Sequence, residues 1–234
     1  MTRGILIAGN ESSLSIAIAK EAAKRVNTVA MALMSGSLKN HIKKAAAEEP
    51  ATGAEGRGPL PEGSTLVPIK WNAGSPLSSR TLLLQVENRL GQINDAVLIC
   101  NPPAIRKQPY ELSPGEIEAI VNDEIKSWFS LIREICMVFH ERGSGCLAMV
   151  VNEINSGTKE DLDIAGPPAQ AAFRAFAQGV LLSSVGEPYQ ALGFSTSDAG
   201  NEEDFAAHIF KIIDEGNKRN SGKWHKFGKL NIFR

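Results

Sequence analysis

Four polar side chains fall where the chain's strand–helix alternation would bring them to one edge of a sheet: Glu124, Asn152, Glu153 and Gln170. Carboxamides of this kind can hydrogen-bond a polar ligand, and a carboxylate withdrawn from water can act as a base. Tyr110, in the loop after the Asn101-Pro102-Pro103 turn, adds a phenol that could overhang the same edge and donate a proton. The plainer alternative is that these are solvated loop carboxylates and structural amides. A second constellation is GILIAGNESSLSIAIAK, which reads as strand, turn and helix. Such a turn presents free N–H groups at a helix N-terminus to an anion. Its ligand-facing residues would be Gly9, Asn10, Ser12, Ser13 and Leu14, with Ser35 and Asn101 closing the site from neighbouring strand ends.

In a dinucleotide-binding turn, glycines let the backbone approach the pyrophosphate. Only Gly9 is present here. Ser13 and Ser15 occupy the later glycine positions, and Glu11 brings a negative charge to where phosphate would lie. Ser12 or Ser13 can cap the helix instead. After the second strand come Leu33, Met34, Ser35, Gly36 and Ser37, with no carboxylate to hold an NAD ribose. The nearest cation for a 2′-phosphate is Lys39, which favours NADP over NAD as the dinucleotide that would bind, with NAD still open. A turn that kept its shape and lost its ligand is the competing reading.

The elements that position these groups alternate as βαβ units do, which predicts one α/β domain over 1–234 with a doubly wound, Rossmann-like parallel sheet of about seven strands and helices on both faces. Strands are expected at Gly4–Ala8, Thr28–Met34, Leu66–Ile69, Asp95–Cys100, Cys146–Val151, Gln190–Phe194 and Lys223–Phe233. Helices are expected at Ser13–Arg25, Leu38–Glu49, Leu77–Leu90, from a Ser113–Pro114–Glu116 capping signal to Gly143, at Pro168–Ser183 and at Glu202–Glu215. Residues 48–64, rich in Gly and Pro, read as a flexible insertion.

Composition narrows the classes. With 43% hydrophobic and 22% charged residues and a net charge of −1, the 234-residue chain reads as an ordinary globular protein. That charge gives no pull toward nucleic acid or anionic lipid, and the basic, aromatic tail KRNSGKWHKFGKLNIFR reads as an edge strand and subunit contact. No apolar run approaches the roughly 20 residues of a membrane span. A strand-like run beginning at Gly4 argues against a signal peptide, and Cys100, Cys136 and Cys146 read as reduced thiols, so a cytoplasmic protein is expected. No His, Asp or Glu spacing suggests a metal, and His140 reads as a helix-end cation.

In the order and spacing of these segments the chain resembles the short-chain dehydrogenase/reductase family, whose marks are TGxxxGIG, NNAG, a serine after strand five and YxxxK. AGNESSLS stands in for the first and DAVLICNPPA for the strand and turn of the second. SGCLAMVVNE resembles the strand before the serine, and QAAFRAFAQGVLLS the helix that carries the lysine. Through this resemblance the serine position falls at Asn152, the tyrosine at or near Gly166 and the lysine at Gln170. The asparagine of the long helix falls at Glu124, or at Asn122 if the register slips, and the turn after strand six near Ser195–Thr196. The family's mechanism needs a phenol whose pKa an adjacent lysine lowers. Neither tyrosine of the chain, Tyr110 or Tyr189, has a lysine four residues on.

Three functions follow. The first, which the missing YxxxK favours, is a non-catalytic relative serving as scaffold or small-molecule binder. The second is an NAD(P)(H)-dependent oxidoreductase with acid–base groups relocated to Tyr110 or Glu124. In the third, Glu124 or Glu153 abstracts a proton without hydride transfer. The resemblance also implies a homodimer or homotetramer, for which the nearly all-apolar Pro168–Ser183 helix would supply a contact.

Overall fold

The alternating apolar runs assemble into one seven-stranded sheet, every neighbouring pair parallel. A computed structural model of the protein describes residues 3–35, 63–153, 163–197 and 200–228. The strands are β1 (Ile5–Gly9), β2 (Thr28–Ser35), β3 (Thr65–Asn72), β4 (Asp95–Cys100), β5 (Cys146–Asn152), β6 (Gln190–Thr196) and β7 (Lys223–Phe227), in the spatial order β3-β2-β1-β4-β5-β6-β7. The helices are α1 (Ser13–Ala23), α2 (Pro76–Leu90), α3 (Pro114–Ala119), α4 (Ser127–Arg142), α5 (Gly166–Ser183) and α6 (Glu202–Glu215). The expected Leu38–Glu49 helix and all but the end of the 48–64 insertion lie outside the described residues.

Strand alternation sorts the core into two layers. Leu6, Ala8, Ala96, Leu98 and Cys100 face a cluster shared with α2, α4 and α5, whereas Ile5, Ile7, Val97 and Ile99 face one shared with α1 and α6. Both faces of β4 are therefore covered, as its uninterrupted apolar run DAVLIC requires. This is the doubly wound α/β fold expected from the sequence. The β7 strand ends at Phe227, short of the expected Phe233, and residues 229–234 lie outside the description. The strand β3 is longer than expected and sits at the sheet edge, where Pro68 lacks an N–H to offer an incoming strand.

The capping signal at Ser113 forms as read. Ser113 Oγ accepts from the Glu116 N–H, and Glu116 accepts in return from the Ser113 N–H (2.9 Å) and hydroxyl (2.8 Å). Lys107 Nζ, 2.6 Å from Glu116 Oε1, is the chief reason that this carboxyl is held down to about 2, with the Ser113 bonds adding to it. The helix that follows is not the single α-helix that its apolar periodicity suggests. Ile120–Lys126 forms a π-helical turn between α3 and α4, braced by the Ser127 hydroxyl donating to the Asp123 carbonyl. In this turn the consecutive carboxylates Asp123 and Glu124 are both buried. Widened turns of this kind recur at functional sites.

Candidate functional site

Strand order reverses between β1 and β4, and open α/β sheets leave a crevice beyond the carboxyl ends of the strands at such a point. The floor of the crevice is built by Asn10, the residue after β1. Its buried side chain donates from Nδ2 to the Asn101 carbonyl after β4 (3.1 Å) and to Glu124 Oε1 in the π turn (3.3 Å). Three elements are thus tied beneath the crevice by one amide. Below them burial pushes the Cys100 thiol up, and the Glu124 charge adds to that shift. Gly9 has a packing role at this point: a Cβ there would lie 2.6 Å from the Ile99 carbonyl oxygen of the adjoining strand. Close approach of β1 and β4 therefore accounts for this glycine without a ligand.

The turn itself is closed on its own donors. Ser12 caps α1, its Oγ accepting from the Ser15 N–H (3.1 Å), while Ser15 Oγ accepts from the Ser12 N–H (2.8 Å). The Ser13 hydroxyl donates to Glu202 Oε1 at the start of α6 (3.1 Å), and the Leu14 side chain is buried in the core. Of the serines at the later glycine positions, Ser15 forms a reciprocal cap with Ser12 and Ser13 bonds a carboxylate beside it. These residues do not fit a pyrophosphate: two N–H donors are already engaged, and Glu202 and Glu11 would meet its charge. Ser35 closes β2 opposite Asn72, and Lys39 lies outside the described residues.

On the other side of the crevice stand the two positions that the resemblance assigns to a tyrosine and a lysine. Gln170 is buried in the first turns of α5 and donates from Nε2 to the Asn152 carbonyl at the end of β5 (2.6 Å). Its amide therefore fastens helix to strand. Gly166 opens α5, two residues earlier than the expected start at Pro168. A Cβ at Gly166 would lie 2.1 Å from Asp163 Oδ2 and 3.0 Å from Asp163 Cγ. The Asp163 carboxylate thus occupies the space into which any side chain at 166 would have to grow. It is fixed there because Oδ1 accepts from three N–H groups, those of Ile105 (3.0 Å), Ala165 (3.1 Å) and Gly166 (3.0 Å). The Ile164 N–H donates to the Ile105 carbonyl (3.1 Å), and Ile105, Ala119 and Ala165 form a small apolar cluster of their own. The segment after β4 is in this way stitched to the start of α5.

The sequence-assigned groups therefore separate. Asn10, Asn101 and Glu124 form one bonded set, and Asn152 with Gln170 forms another. Glu153 pairs with Arg174, whose guanidinium lies 4.8 Å from the centre of the Trp224 ring. Tyr110 sits on a 3₁₀ turn, 84% exposed, and its hydroxyl makes no hydrogen bond among the described residues. His140, in the last turn of α4, meets Glu187 Oε2 at 2.6 Å. Asp163 and Glu202 were missed in the sequence. An aspartate shortly before Gly-Pro-Pro at a helix start is a capping signal and could have revealed the first, whereas nothing local marks Glu202 as a partner of Ser13. Among the described residues no three His, Cys, Asp or Glu side chains stand close enough to hold a metal ion, and no helix is long and apolar enough to cross a membrane.

No family model matches the sequence, and no curated protein matches it. Solved structures do resemble the fold. A short-chain type dehydrogenase/reductase from Mycobacterium marinum superimposes with a TM-score of 0.72 at 14% identity, covering 96% of this chain and 93% of that one. A metagenomic short-chain oxidoreductase in complex with NADP gives 0.71 at 9% identity over 97% and 98% of the two chains. A short chain dehydrogenase from Mycobacterium smegmatis gives 0.71 at 12% identity over 99% and 93%. At such identities the likeness is one of fold, over nearly the whole length of the chain.

Proposed function

We propose that the protein is a short-chain dehydrogenase/reductase relative that kept the fold and gave up hydride transfer, and that it serves as a scaffold or binder of a small polar molecule. One observation carries this reading: the Asp163 carboxylate stands where a side chain at Gly166 would have to begin. Hydride transfer to a carbonyl needs a proton donor at that point, and losing general acid catalysis alone costs about 10²–10⁴-fold in rate. The self-capped turn of Ser12 and Ser15 supports the same reading from the cofactor side. What remains at the crevice is the Asn10 amide bonded to Glu124 and, apart from it, the Gln170 amide, groups suited to hydrogen-bonding an uncharged or cationic ligand rather than a pyrophosphate.

Titration of the purified protein with NADPH and NADH, followed by thermal shift and by nicotinamide fluorescence, is expected to give no saturable signal. A panel of carbonyl substrates is expected to leave NADPH unoxidised. Saturable NADPH binding with turnover of any carbonyl would instead favour an oxidoreductase whose acid–base groups have moved, with Glu124 the first residue to substitute.

The proposal includes self-association as a homodimer or homotetramer. Phe129 on α4 stacks on Phe176 of α5 (centroids 3.8 Å apart, planes at 28°), and this pair stays 41% exposed at Phe129, with Val121 and Leu182 also exposed. Exposed aromatic and aliphatic side chains on two adjacent helices suit an isologous contact. Light scattering on a sizing column should report a dimer or tetramer for the native chain and a monomer for Phe129→Asp. A native monomer at the same concentration sinks this part of the proposal.

A further inference from the structure

At the edge of the sheet opposite the crevice, Arg3, Arg25 and Arg89 line one cavity of about 420 Å³, together with Asn27 and Thr28 and with no carboxylate in its lining. The first two guanidiniums are fixed from behind. Asp214 bridges them, Oδ1 at 2.7 Å from Arg3 Nη1 and Oδ2 at 2.6 Å from Arg25 Nε. Asp95 holds Arg3 Nε (2.5 Å), and Glu21 holds Arg25 Nη1 (2.7 Å), which also donates to the Glu21 carbonyl (2.7 Å). The Arg25 fork further lies 4.8 Å from the centre of the Phe210 ring. All of these contacts use Nε and Nη1, so Nη2 of both arginines keeps its donors without a protein acceptor among the described residues. Arg89, at the end of α2, has no ion pair or hydrogen bond among those residues.

We propose that this cavity binds the phosphate group of a small molecule. Two guanidiniums already immobilised by acids lose little freedom when an anion arrives, and a third can swing in from α2. A tetrahedral oxyanion offers oxygens in three directions to three forks, whereas a planar carboxylate offers a single edge. The Thr28 hydroxyl and the Asn27 amide add neutral donors at the rim. A neighbouring cavity of about 440 Å³ shares Arg89, includes Lys70 and gives room for the moiety that carries the phosphate. The site lies away from the crevice and stands whether or not a dinucleotide binds there.

The test is calorimetric titration of the full chain at low ionic strength with inorganic phosphate and pyrophosphate, with chloride at matched ionic strength and a tricarboxylate as controls. Saturable phosphate binding is expected, and Arg89→Ala should weaken it about tenfold, the loss of one charge-assisted bond. Arg89 makes no ion pair or hydrogen bond among the described residues, so the melting temperature of Arg89→Ala without phosphate should equal that of the native chain. Asn27→Asp, which places a carboxylate on the rim, should weaken binding by a similar factor. Binding unchanged in Arg89→Ala, a response that chloride reproduces, or a tricarboxylate that binds as tightly as phosphate each overturns the proposal.

Discussion

The double variant Gly166→Tyr, Gln170→Lys restores the tyrosine and lysine of the family pattern by sequence, yet it is expected to give no reductase and a chain less stable by about 3–5 kcal/mol. The tyrosine Cβ alone would sit 2.1 Å from Asp163 Oδ2, so the carboxylate must leave. On leaving, it strands the N–H groups of Ile105, Ala165 and Gly166, two of which belong to the first turn of α5 and the residue before it. Loss of a helix cap costs about 0.5–2 kcal/mol, and each further buried donor left without an acceptor about 1–3 kcal/mol. The second substitution removes the amide that fastens α5 to the Asn152 carbonyl and puts an ammonium in a buried place. Urea denaturation gives the stability change, and NADPH consumption with a carbonyl panel gives the activity. A variant as stable as its parent that also turns over NADPH would show that Asp163 yields freely, and the proposed function would fall with it. The single variant Gly166→Ala separates the two effects, because it displaces Asp163 and leaves Gln170 in place.

The sheet was legible because each of its strands carries its own evidence. DAVLIC has no polar interruption after Asp95 and could only be a strand covered on both faces, and the Ser113–Pro114–Glu116 cap was set by three residues within four positions. What escaped the sequence depended on residues far apart in it or on a change of helical pitch. The π turn at Ile120–Lys126 leaves the apolar spacing of the surrounding helix almost unaltered, so periodicity cannot reveal that both Asp123 and Glu124 turn inward. Gly9 read as the remnant of a phosphate loop, but its neighbour is Ile99, ninety residues on, and the fit of β1 against β4 is a sufficient reason for it. Position 166 read as an absence, a tyrosine replaced by nothing. The occupant is Asp163, and only the folded chain brings its carboxylate into that space. At Tyr110 position in the loop suggested a phenol near the crevice, and the 3₁₀ turn at Pro109–Glu111 that leaves the ring exposed is a local feature the sequence does not announce.

Trp128→Ala is expected to lose about 3–5 kcal/mol, the usual cost of emptying a large buried aromatic site. Trp128 is fully buried and stands edge-on to two rings at once, Trp71 of β3 (5.4 Å, 61°) and Phe173 of α5 (5.2 Å, 74°). Each such edge-to-face pair adds about 0.5–1.5 kcal/mol beyond the area it buries. The position matters as much as the size. Trp128 lies one turn beyond Glu124 and Phe173 one turn beyond Gln170, so this ring contact sets the distance between the helix that carries one bonded set of the crevice and the helix that carries the other. Its removal should therefore lower amide-exchange protection at the start of α5 and in the π turn more than in α1, which packs on the opposite face of the sheet. Urea denaturation with an unchanged dependence on denaturant would place the loss in the folded state. A loss below about 1 kcal/mol, or protection falling equally in α1, would mean that the aromatic contact is not what holds the two sides of the crevice in register. A rigid aromatic brace beneath the crevice is what the proposed binding surface requires, since positioning amides around a ligand demands helices held at a fixed separation.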